Sequence, residues 1–359
     1  MINTYPSYYK KFACIADKCP DTCCAGWEIV VDTESLEHYN NLSESYGEKI
    51  RSLIAVDGDG DSIFSPRNNR CPFLLENGLC EMYINLGHDA LCRTCRQFPR
   101  HITYFGARVE TGISLSCPEA ARLIMDSPDP IAFETEEIHG SILPTAIDPE
   151  MYFTLFEARK TAINIIQNRN FSIERRICAF LLFSREISPL IRKKRFKEAR
   201  EICKSDFLCS QKPDFSKSSA KRALQKYFDD FKSLEMLDPA WASSLKEAEN
   251  ARFPEADGFE WEYEHLMIYF VFRYFMTAVF DGDLLTKAKF AAVSFIVIRR
   301  LQAGCPDEKT ARVRAMQKYS KEVEHSAQNM EFLRLSMKKS RFYSVENLIN
   351  ILSVTEEIK

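Results

Sequence analysis

The sequence lacks the usual signals of secretion and of membrane insertion. The segment from Met1 to Phe12 contains no continuous apolar stretch and no small-residue cleavage site, unlike a secretory signal. The most apolar run, Leu266 to Phe280, is interrupted by Arg273 and is shorter than the roughly 20 apolar residues that span a bilayer. We therefore expect a cytoplasmic protein that does not insert into a membrane.

Several functional signatures are also missing. The 12 glycines are dispersed, and no Gly-x-Gly-x-x-Gly follows a predicted strand, so a Rossmann-like nucleotide site is not indicated. The net charge of -3 and the pI near 6.2 give no general attraction to nucleic acid or to an anionic membrane. No internal repeat or low-complexity segment is present. With 359 residues, 45% of them hydrophobic, the chain is a globular protein with enough material for two domains.

What the chain does contain is a cluster of cysteines. Nine of its 13 cysteines fall in the first third of the sequence: Cys14, Cys19, Cys23, Cys24, Cys71, Cys80, Cys92, Cys95 and Cys117. Thiolates bind zinc and iron–sulfur clusters, and structural disulfides are rare in the reducing cytosol. We therefore predict a metal site in this region. The remaining cysteines stand singly on helical patterns and are predicted to be structural: Cys178, Cys203, Cys209 and Cys305.

The segments around the clustered cysteines are predicted to be loops and short elements. Residues 27–32 favour a strand, because β-branched side chains favour extended backbone. Asn77-Gly78 is a two-residue turn signal, so Cys71 and Cys80 are expected on the two arms of a hairpin. Residues 103–116 alternate around Gly106 and predict a second hairpin.

Cys117 is followed by Pro118, which is tolerated in a first helical turn, and then by strong helix formers. The cysteine is therefore predicted at the N-terminus of a helix. The positive end of the helix dipole is expected to stabilise its thiolate there.

The fold is predicted to be mainly α. Residues 1–127 are expected to form a small irregular α+β domain rich in cysteine, and residues 128–148, with several prolines, a linker. Residues 149–359 are expected to form an all-α domain packed on the first. Its predicted helices are 150–168, 172–187, 189–203, 217–232, 260–280, 283–303 and 306–335. The aromatic stripe at 259–275 is predicted to be core.

The cysteines occur in a series of ordered motifs. These are Cys19-x3-Cys-Cys24 followed by Gly26-Trp27, Cys71-Pro-Phe-Leu74, Leu79-Cys80, Cys95-x-x-Phe-Pro-Arg100 and Leu115-Ser-Cys-Pro-Glu119. In this order they resemble the flagellin lysine N-methylase family of bacteria. The resemblance covers residues 8–125, and the helical remainder is similar in length and general character. Part of the same cysteine order also resembles a broader family of small iron–sulfur or zinc proteins.

The resemblance implies an S-adenosylmethionine-dependent protein-lysine N-methyltransferase that methylates the ε-amine of flagellin lysines and carries a four-iron iron–sulfur cluster. The matching cysteines, implied as metal ligands, are Cys14, Cys19, Cys23, Cys24, Cys71, Cys80, Cys95 and Cys117. Cys92 has no counterpart. Because a four-iron cluster needs about four protein ligands and two zinc sites would use all eight, both metals stay open.

The binding mode of the methyl donor also stays open. The cysteine spacing differs from the Cys-x3-Cys-x2-Cys triplet of radical S-adenosylmethionine enzymes, because Cys23 and Cys24 are adjacent. Two hypotheses are a cluster iron with a free coordination position and a pocket between the two domains.

Methyl transfer requires a deprotonated lysine amine, so a base is expected near the cysteines. We predict Glu119 and Arg100 as catalytic-site residues. Glu119 is a candidate base, although it also suits a helix N-terminus, and Arg100 is a candidate partner of the donor's carboxylate, although it also suits an ion pair. Glu110 and Tyr83 are further candidate bases, and His88 and His101 are candidate histidine ligands of the metal. The alternative function is a non-enzymatic iron–sulfur or zinc protein that binds a partner through its helical half.

Overall fold

A computed structural model describes most of the chain. The described residues are 1–27, 29–43, 45–58, 60–66, 68, 70–140, 146–208, 216–254, 258–303 and 308–357. Two of the predicted structural cysteines, Cys209 and Cys305, lie outside them. Throughout these ranges, every helix is too short or too polar to cross a bilayer.

The described strands form two small sheets. They are β1 (Ile2–Pro6), β2 (Ile29–Val30), β3 (Ile54–Val56), β4 (Ser62–Phe64), β5 (Arg100–Phe105), β6 (Arg108–Ile113) and β7 (Phe133–Glu137). The larger sheet has the order β5-β6-β1-β7, and the smaller one has the order β2-β4-β3. In the larger sheet β1 runs parallel to β6 and antiparallel to β7. The N-terminal strand is therefore held in the sheet by partners about a hundred residues away.

The helices dominate the rest of the chain, so the fold is mainly α as predicted. In the cysteine-rich part they are α1 (Thr33–Asn40), α2 (Ser45–Ser52), α3 (Glu81–Leu86), α4 (Arg93–Gln97) and α5 (Pro118–Ile124). Beyond it they are α6 (Pro149–Ile166), α7 (Ile173–Arg192), α8 (Phe196–Ile202), α9 (Lys217–Lys232), α10 (Ala240–Asn250), α11 (Glu260–Tyr274), α12 (Ala278–Asp281), α13 (Leu284–Gln302), α14 (Lys309–Glu324), α15 (Ala327–Lys339) and α16 (Val345–Glu357).

Two hydrophobic cores hold these elements together. The first combines Ile113 of β6, and Leu115 just after it, with the long helices of the second half. The stretch of α11 from Glu262 to Phe272 is buried throughout. The aromatic stripe is therefore core, as predicted. The second core is smaller and lies within residues 29–95, where Tyr39 and Phe73 are buried. The cysteine-rich part is thus divided between the small core and an edge of the large one.

The predicted linker contributes to the fold. Residues 133–137 form β7, which pairs with β1 over the register from Ile2↔Glu137 to Pro6↔Phe133. Residues 141–145 lie outside the described ranges. The first core also contains side chains from both sides of this segment, such as Leu115 and Phe180. The domain boundaries at 127 and 149 stay a prediction.

Local patterns predicted several elements correctly. The hairpin around Gly106 is formed by β5 and β6, and Gly106 has a φ of 69°, which favours glycine. The predicted strand at 27–32 contains β2. The helix predicted at 217–232 has the bounds of α9.

Other predictions were wrong in detail. The chain was expected to leave its helix before Pro189, but α7 continues through Pro189 to Arg192. Pro189 lies in the last turn of a helix that packs against several others, so the loss of one hydrogen bond is tolerated. The single helix predicted at 306–335 is two helices, α14 and α15. Within residues 149–359, helices α10 and α16 were not predicted, and neither was the short α4 in the cysteine-rich part.

The first predicted hairpin is also only partly formed. Gly78 adopts a φ of 80° in a tight turn, and Leu74 pairs with Cys80 in an isolated bridge rather than in a strand. Cys71 does not lie on an arm of this turn, because its N–H donates instead to the carbonyl of Cys24 at 2.7 Å. The turn signal was therefore correct, but the segment joins two cysteine loops rather than forming a hairpin.

Buried ion pairs connect the elements of the large core. Glu110 on β6 accepts two hydrogen bonds from Arg159 on α6, at 2.5 and 2.6 Å, with both side chains almost fully buried. Glu264 on α11 similarly accepts from Arg176 on α7 at 2.7 Å. Such pairs require both partners, because a single buried charge is strongly unfavourable. The first pair fixes the sheet against the helices.

The substitution Glu110→Gln should therefore destabilise the fold. It leaves the guanidinium of Arg159 buried without its counter-charge, at an expected loss of about 3 kcal/mol in the free energy of unfolding. Urea or thermal denaturation measures this loss. The matched control, Glu331→Gln, breaks an exposed pair with Arg334 and should leave the midpoint unchanged. Equal midpoints for both variants would contradict this role of the buried pair.

Candidate functional site

The clustered cysteines surround one cavity of ≈ 510 Å³. Its wall is formed by side chains from within residues 12–27, 78–100 and 116–119, together with Ile29 and with Lys321 on α14. Seven of the eight predicted ligand cysteines line it: Cys14, Cys19, Cys23, Cys24, Cys80, Cys95 and Cys117. Cys71 and Cys92 are not part of the lining. The fold therefore gathers almost all of the predicted ligand set around one space.

The remaining lining is largely apolar. Trp27 and Phe98 meet edge to face, with ring centroids 4.9 Å apart. Phe12 contributes a third ring. Aliphatic side chains complete the wall: Ile15, Ile29, Leu79, Ile84 and Leu91. A cavity of this kind suits a ligand with a flat apolar part.

The thiols influence one another's ionisation. A hydrogen bond between the adjacent thiols of Cys23 and Cys24 lowers the pKa of Cys24 to about 7 and raises that of Cys23. A similar hydrogen bond lowers the pKa of Cys92 and raises that of Cys95. Because thiolates are the metal-binding and nucleophilic form, Cys24 and Cys92 are the most readily deprotonated of these four. Cys92, for which the sequence predicted no role, is thus the hydrogen-bond partner of a predicted ligand.

Cys117 has the predicted position, but the pKa of its thiol is higher than expected. It is the residue before the first turn of α5, as expected, and the backbone N–H groups of Glu119 and Ala120 face its sulfur. Burial nevertheless raises the pKa of its thiol to about 11. The N–H groups at the helix N-terminus do stabilise the thiolate, as predicted, but the loss of water on burial outweighs their contribution to the pKa.

The cysteines fit a metal centre in ligand type and number. Soft thiolates are the ligands of zinc and of iron–sulfur clusters, and seven of them face the same space. Most of them lie on loops, such as residues 12–15 and 19–27, rather than on long helices. In the described part of the chain, however, no three Cys, His, Asp or Glu side chains converge closely enough to hold an ion. A metal centre therefore requires these loops to draw their thiols together.

The two predicted catalytic-site residues both line the cavity. The guanidinium of Arg100 lies 5.0 Å from the centre of the Phe12 ring. Within the described residues, Arg100 forms no side-chain hydrogen bond or ion pair. Glu119 instead accepts hydrogen bonds from Arg122 through both of its oxygens, each at 2.8 Å. The cation is thus available to a ligand, whereas the carboxylate is already neutralised.

Of the other candidate residues predicted from the sequence, some line the cavity and others lie outside it. Tyr83 and His88 line the cavity, and Tyr83 is exposed at its edge. Glu110 lies outside it, in the buried pair with Arg159. His101 lies over Gly112 of the neighbouring strand, where an added Cβ would come within 2.5 Å of its Nε2. Burial lowers the pKa of His101 well below its usual value, so it stays neutral.

Two polar contacts at the cavity were not predicted. The hydroxyl of Ser116, in the cavity wall, lies 2.6 Å from Nε2 of His325 at the end of α14. The ring of His325 also packs against Trp27 at 4.8 Å. Burial, followed by the nearby charge of Arg273, lowers the pKa of His325 to about 4. A neutral imidazole therefore lies directly behind the cavity wall.

The second contact is an ion pair. Nζ of Lys321 lies 2.9 Å from Oδ1 of Asp21, and Gln317 donates to Oδ2 of the same carboxylate at 2.8 Å. Asp21 and Lys321 both line the cavity. Some 300 residues separate these partners along the chain, and no local pattern connects them. Only the packing of α14 against the cysteine loops brings them together.

A little over half of the chain matches a known protein family. Residues 159–351 match the family described as the FliB lysine N-methylase C-terminal domain. The match falls on the helical half, whereas the cysteine motifs lie in the other half. No solved structure matches the chain.

Three curated bacterial proteins are similar to parts of the chain. Two are named lysine-N-methylase, from Salmonella typhimurium and Salmonella choleraesuis, and each is 29% identical over 198 residues. Each alignment covers 50% of this chain and 46% of the relative, so the chain spans about half the length of these relatives. The third, the flagellar biosynthetic protein FliU of Salmonella muenchen, is 31% identical over 142 residues, which are 36% of this chain and 80% of the relative.

The neutral state of His325 predicts a loss of stability in acid. Its folded pKa of about 4 lies below the unfolded value of about 6.5, so between these pH values the unfolded chain binds the proton more tightly. Stability should therefore fall as the pH drops through this window. His325→Gln should reduce the loss between pH 7 and pH 5 by about 2 kcal/mol.

Urea denaturation at the two pH values measures this difference. The buried histidines His101 and His265 are common to the wild type and the variant, so they cancel in the comparison. The control, His38→Gln, changes an exposed histidine on α1 and should leave the pH dependence as it is. If His325→Gln has the same pH dependence as the wild type, the imidazole is not neutral in the fold.

Proposed function

The chain belongs to the FliB lysine N-methylase C-terminal domain family, and from this premise we propose that it is a protein lysine N-methyltransferase. The proposed reaction transfers a methyl group from S-adenosylmethionine to the ε-amine of flagellin lysines. The observation that carries the proposal is the apolar, cysteine-lined cavity, in whose wall Arg100 has no ion-pair partner among the described residues. The names of the relatives, lysine-N-methylase and flagellar biosynthetic protein, support the reaction and the choice of substrate.

We also propose that the cysteines hold an iron–sulfur cluster, with zinc as the alternative. Four of the cavity-lining thiols would suffice for a four-iron cluster, and the pKa of about 7 makes the Cys24 thiolate available near neutral pH. When bound, such a centre would cross-link the loops that carry its thiolate ligands. The cytoplasm is the expected compartment, because these thiols must stay reduced to bind metal.

The donor would be bound by the side chains that surround the cavity. Arg100 provides a guanidinium for the carboxylate of the donor's methionine part. Trp27 and Phe98 provide ring faces and edges for the adenine, and aromatic faces also attract a sulfonium cation. These contacts would orient the methyl group toward an entering amine, which is the main contribution that a protein makes to such a transfer.

The substrate lysine must lose a proton before its nitrogen attacks the methyl carbon. An apolar lining favours the neutral amine, because burial lowers the pKa of a lysine. The hydroxyl of Ser116, backed by the neutral imidazole of His325, provides a proton acceptor in the wall. Glu119 stays a candidate base, although its ion pair with Arg122 reduces its availability. The nitrogen then forms a bond to the methyl carbon as the bond from carbon to sulfur breaks.

The activity can be tested with flagellin from the same organism. Protein prepared without oxygen, incubated with flagellin and S-adenosylmethionine, should raise the mass of flagellin in methyl-sized steps on lysine peptides. Mass spectrometry of the digested product measures this. If metal-replete protein neither binds the donor nor changes the flagellin mass, the methyltransferase proposal fails and a non-enzymatic binding protein replaces it.

A matched pair of variants tests the assignment of the donor site. Arg100→Gln should raise the KM for S-adenosylmethionine at least tenfold with a smaller effect on kcat, because a hydrogen bond to a charged group contributes about 1.5–3 kcal/mol. Arg334→Gln, on α15, removes an equal charge from outside the cavity lining and should change neither value. An unchanged KM for Arg100→Gln would remove Arg100 from the donor site.

Metal content provides a separate prediction. Anaerobically purified protein should be brown and contain iron with acid-labile sulfide, and colourless protein with stoichiometric zinc would overturn the iron–sulfur assignment. Cys95→Ser should lose the metal, because its thiol lines the cavity. Cys92→Ser should keep it, and so should Cys203→Ser, in which the hydroxyl retains the hydrogen bond to Ala199. Equal losses from Cys92→Ser and Cys95→Ser would make Cys92 a ligand.

A further inference from the structure

A second cleft adjoins the cysteine-lined cavity. It measures ≈ 390 Å³ and lies between the cysteine loops and helices α10 and α14. Asp21 and Lys321 line both spaces, so their ion pair is a shared wall. Gly26 packs close to this wall, since an added Cβ would come within 3.5 Å of Nζ of Lys321. A ligand in the cleft is therefore a direct neighbour of a ligand in the cavity.

The acidic side chains of the cleft are already occupied. Glu322 accepts hydrogen bonds from the backbone N–H groups of Leu237 and Asp238, each at 2.8 Å. The carboxylate of Asp238 accepts from the N–H of Ala240 at 2.9 Å. Asp21 is held by Lys321. Among the described residues, only Asp21 has a counter-charge beside it, but the three acidic side chains of the cleft are outnumbered by its four basic ones, Arg70, Arg314, Lys318 and Lys321.

Most of the basic side chains of the cleft lie on α14. Arg314, Lys318 and Lys321 follow one another at four- and three-residue spacing on α14, so they share one face of the helix. Arg70 approaches the same cleft from the loop that pairs with Ala25. Among the described residues, no carboxylate pairs with Arg70, Arg314 or Lys318. Three cations thus converge on the cleft with no carboxylate of the described residues paired to them, in a chain whose net charge is -3. The charge of Arg70 also acts on the thiol of Cys24.

We propose that this cleft binds an acidic segment of the protein substrate, with Arg70, Arg314 and Lys318 receiving its carboxylates. The inference rests on the proposed function, because the segment would present a nearby lysine to the adjoining cavity. Guanidinium and ammonium groups bind carboxylates through charge-assisted hydrogen bonds, and a partly enclosed cleft strengthens such contacts relative to open water. The cleft therefore selects lysines that have acidic neighbours.

The location of the cations favours a peptide over a free anion. They are spread along successive turns of α14 and a separate loop, rather than gathered about one point. An extended peptide places alternate side chains at intervals along its length, which suits several separated cations. The shared wall also gives the cleft a position beside the reaction site, which a substrate segment requires.

A direct binding measurement tests the proposal without the methyl donor. A fluorescently labelled, blocked hexaglutamate peptide should bind the full chain at low ionic strength, and a hexaglutamine peptide of equal length should not. The double variant Arg314→Ala/Lys318→Ala should raise the dissociation constant for hexaglutamate about tenfold. The control, Lys338→Ala/Lys339→Ala, removes the same charge from α15, outside the cleft lining, and should leave the affinity unchanged.

The outcomes separate this inference from the proposed function. Equal hexaglutamate affinities for the two double variants would overturn the acidic-peptide site, whatever the enzymatic activity. Competition by inorganic phosphate at concentrations that match the peptide would make the cleft a site for a small anion, and tighter binding of a short oligonucleotide would make it a nucleic-acid site. Both would overturn the proposal. With an active enzyme, Arg314→Ala/Lys318→Ala should raise the KM for flagellin about tenfold and leave kcat unchanged.

Discussion

A carboxylate on the central sheet and a guanidinium on the first long helix meet in the core, almost excluded from water. Glu110 and Arg159 are 6% and 5% exposed, and neither charge is stable there without the other. The pair therefore restricts β6 and α6 to one mutual position. Beyond the end of β6 the chain continues directly into Ser116 and Cys117 in the cavity wall. The contact that docks the sheet onto the helices thus also places one side of the candidate site.

Most of the helices and the loop character of the cysteine segments follow from local patterns. Helix α9 was predicted with its observed bounds, because its apolar residues recur at helical spacing among polar ones. The elements that were missed depend on distant partners. Strand β1 exists because β6 and β7 pair with it, and α16 packs on α7 and α9. Tertiary contacts of this kind stabilise segments whose own sequence signal is weak.

The candidate site likewise has some features that the sequence predicts and others that depend on the whole fold. The clustering of thiols could be predicted, since the residue type alone carries the chemistry, and seven of the eight predicted ligands do line one cavity. The contact of His325 with Ser116 could not, because 209 residues separate the two along the chain. Cys117 illustrates a third case, in which the position was predicted and the ionisation was not. Its helix N-terminus is visible in the sequence, whereas its burial is a property of the whole fold.

The charges around the cavity bear directly on the proposed chemistry. A free carboxylate facing an entering lysine would stabilise its ammonium form and raise its pKa, which opposes methyl transfer. Asp21 and Glu119 are instead neutralised by Lys321 and Arg122. The remaining wall is mainly apolar and favours the neutral, nucleophilic amine. If acidic neighbours of the lysine bind in the adjoining cleft, attraction of the substrate and deprotonation of the amine occur in separate places, so the first does not hinder the second.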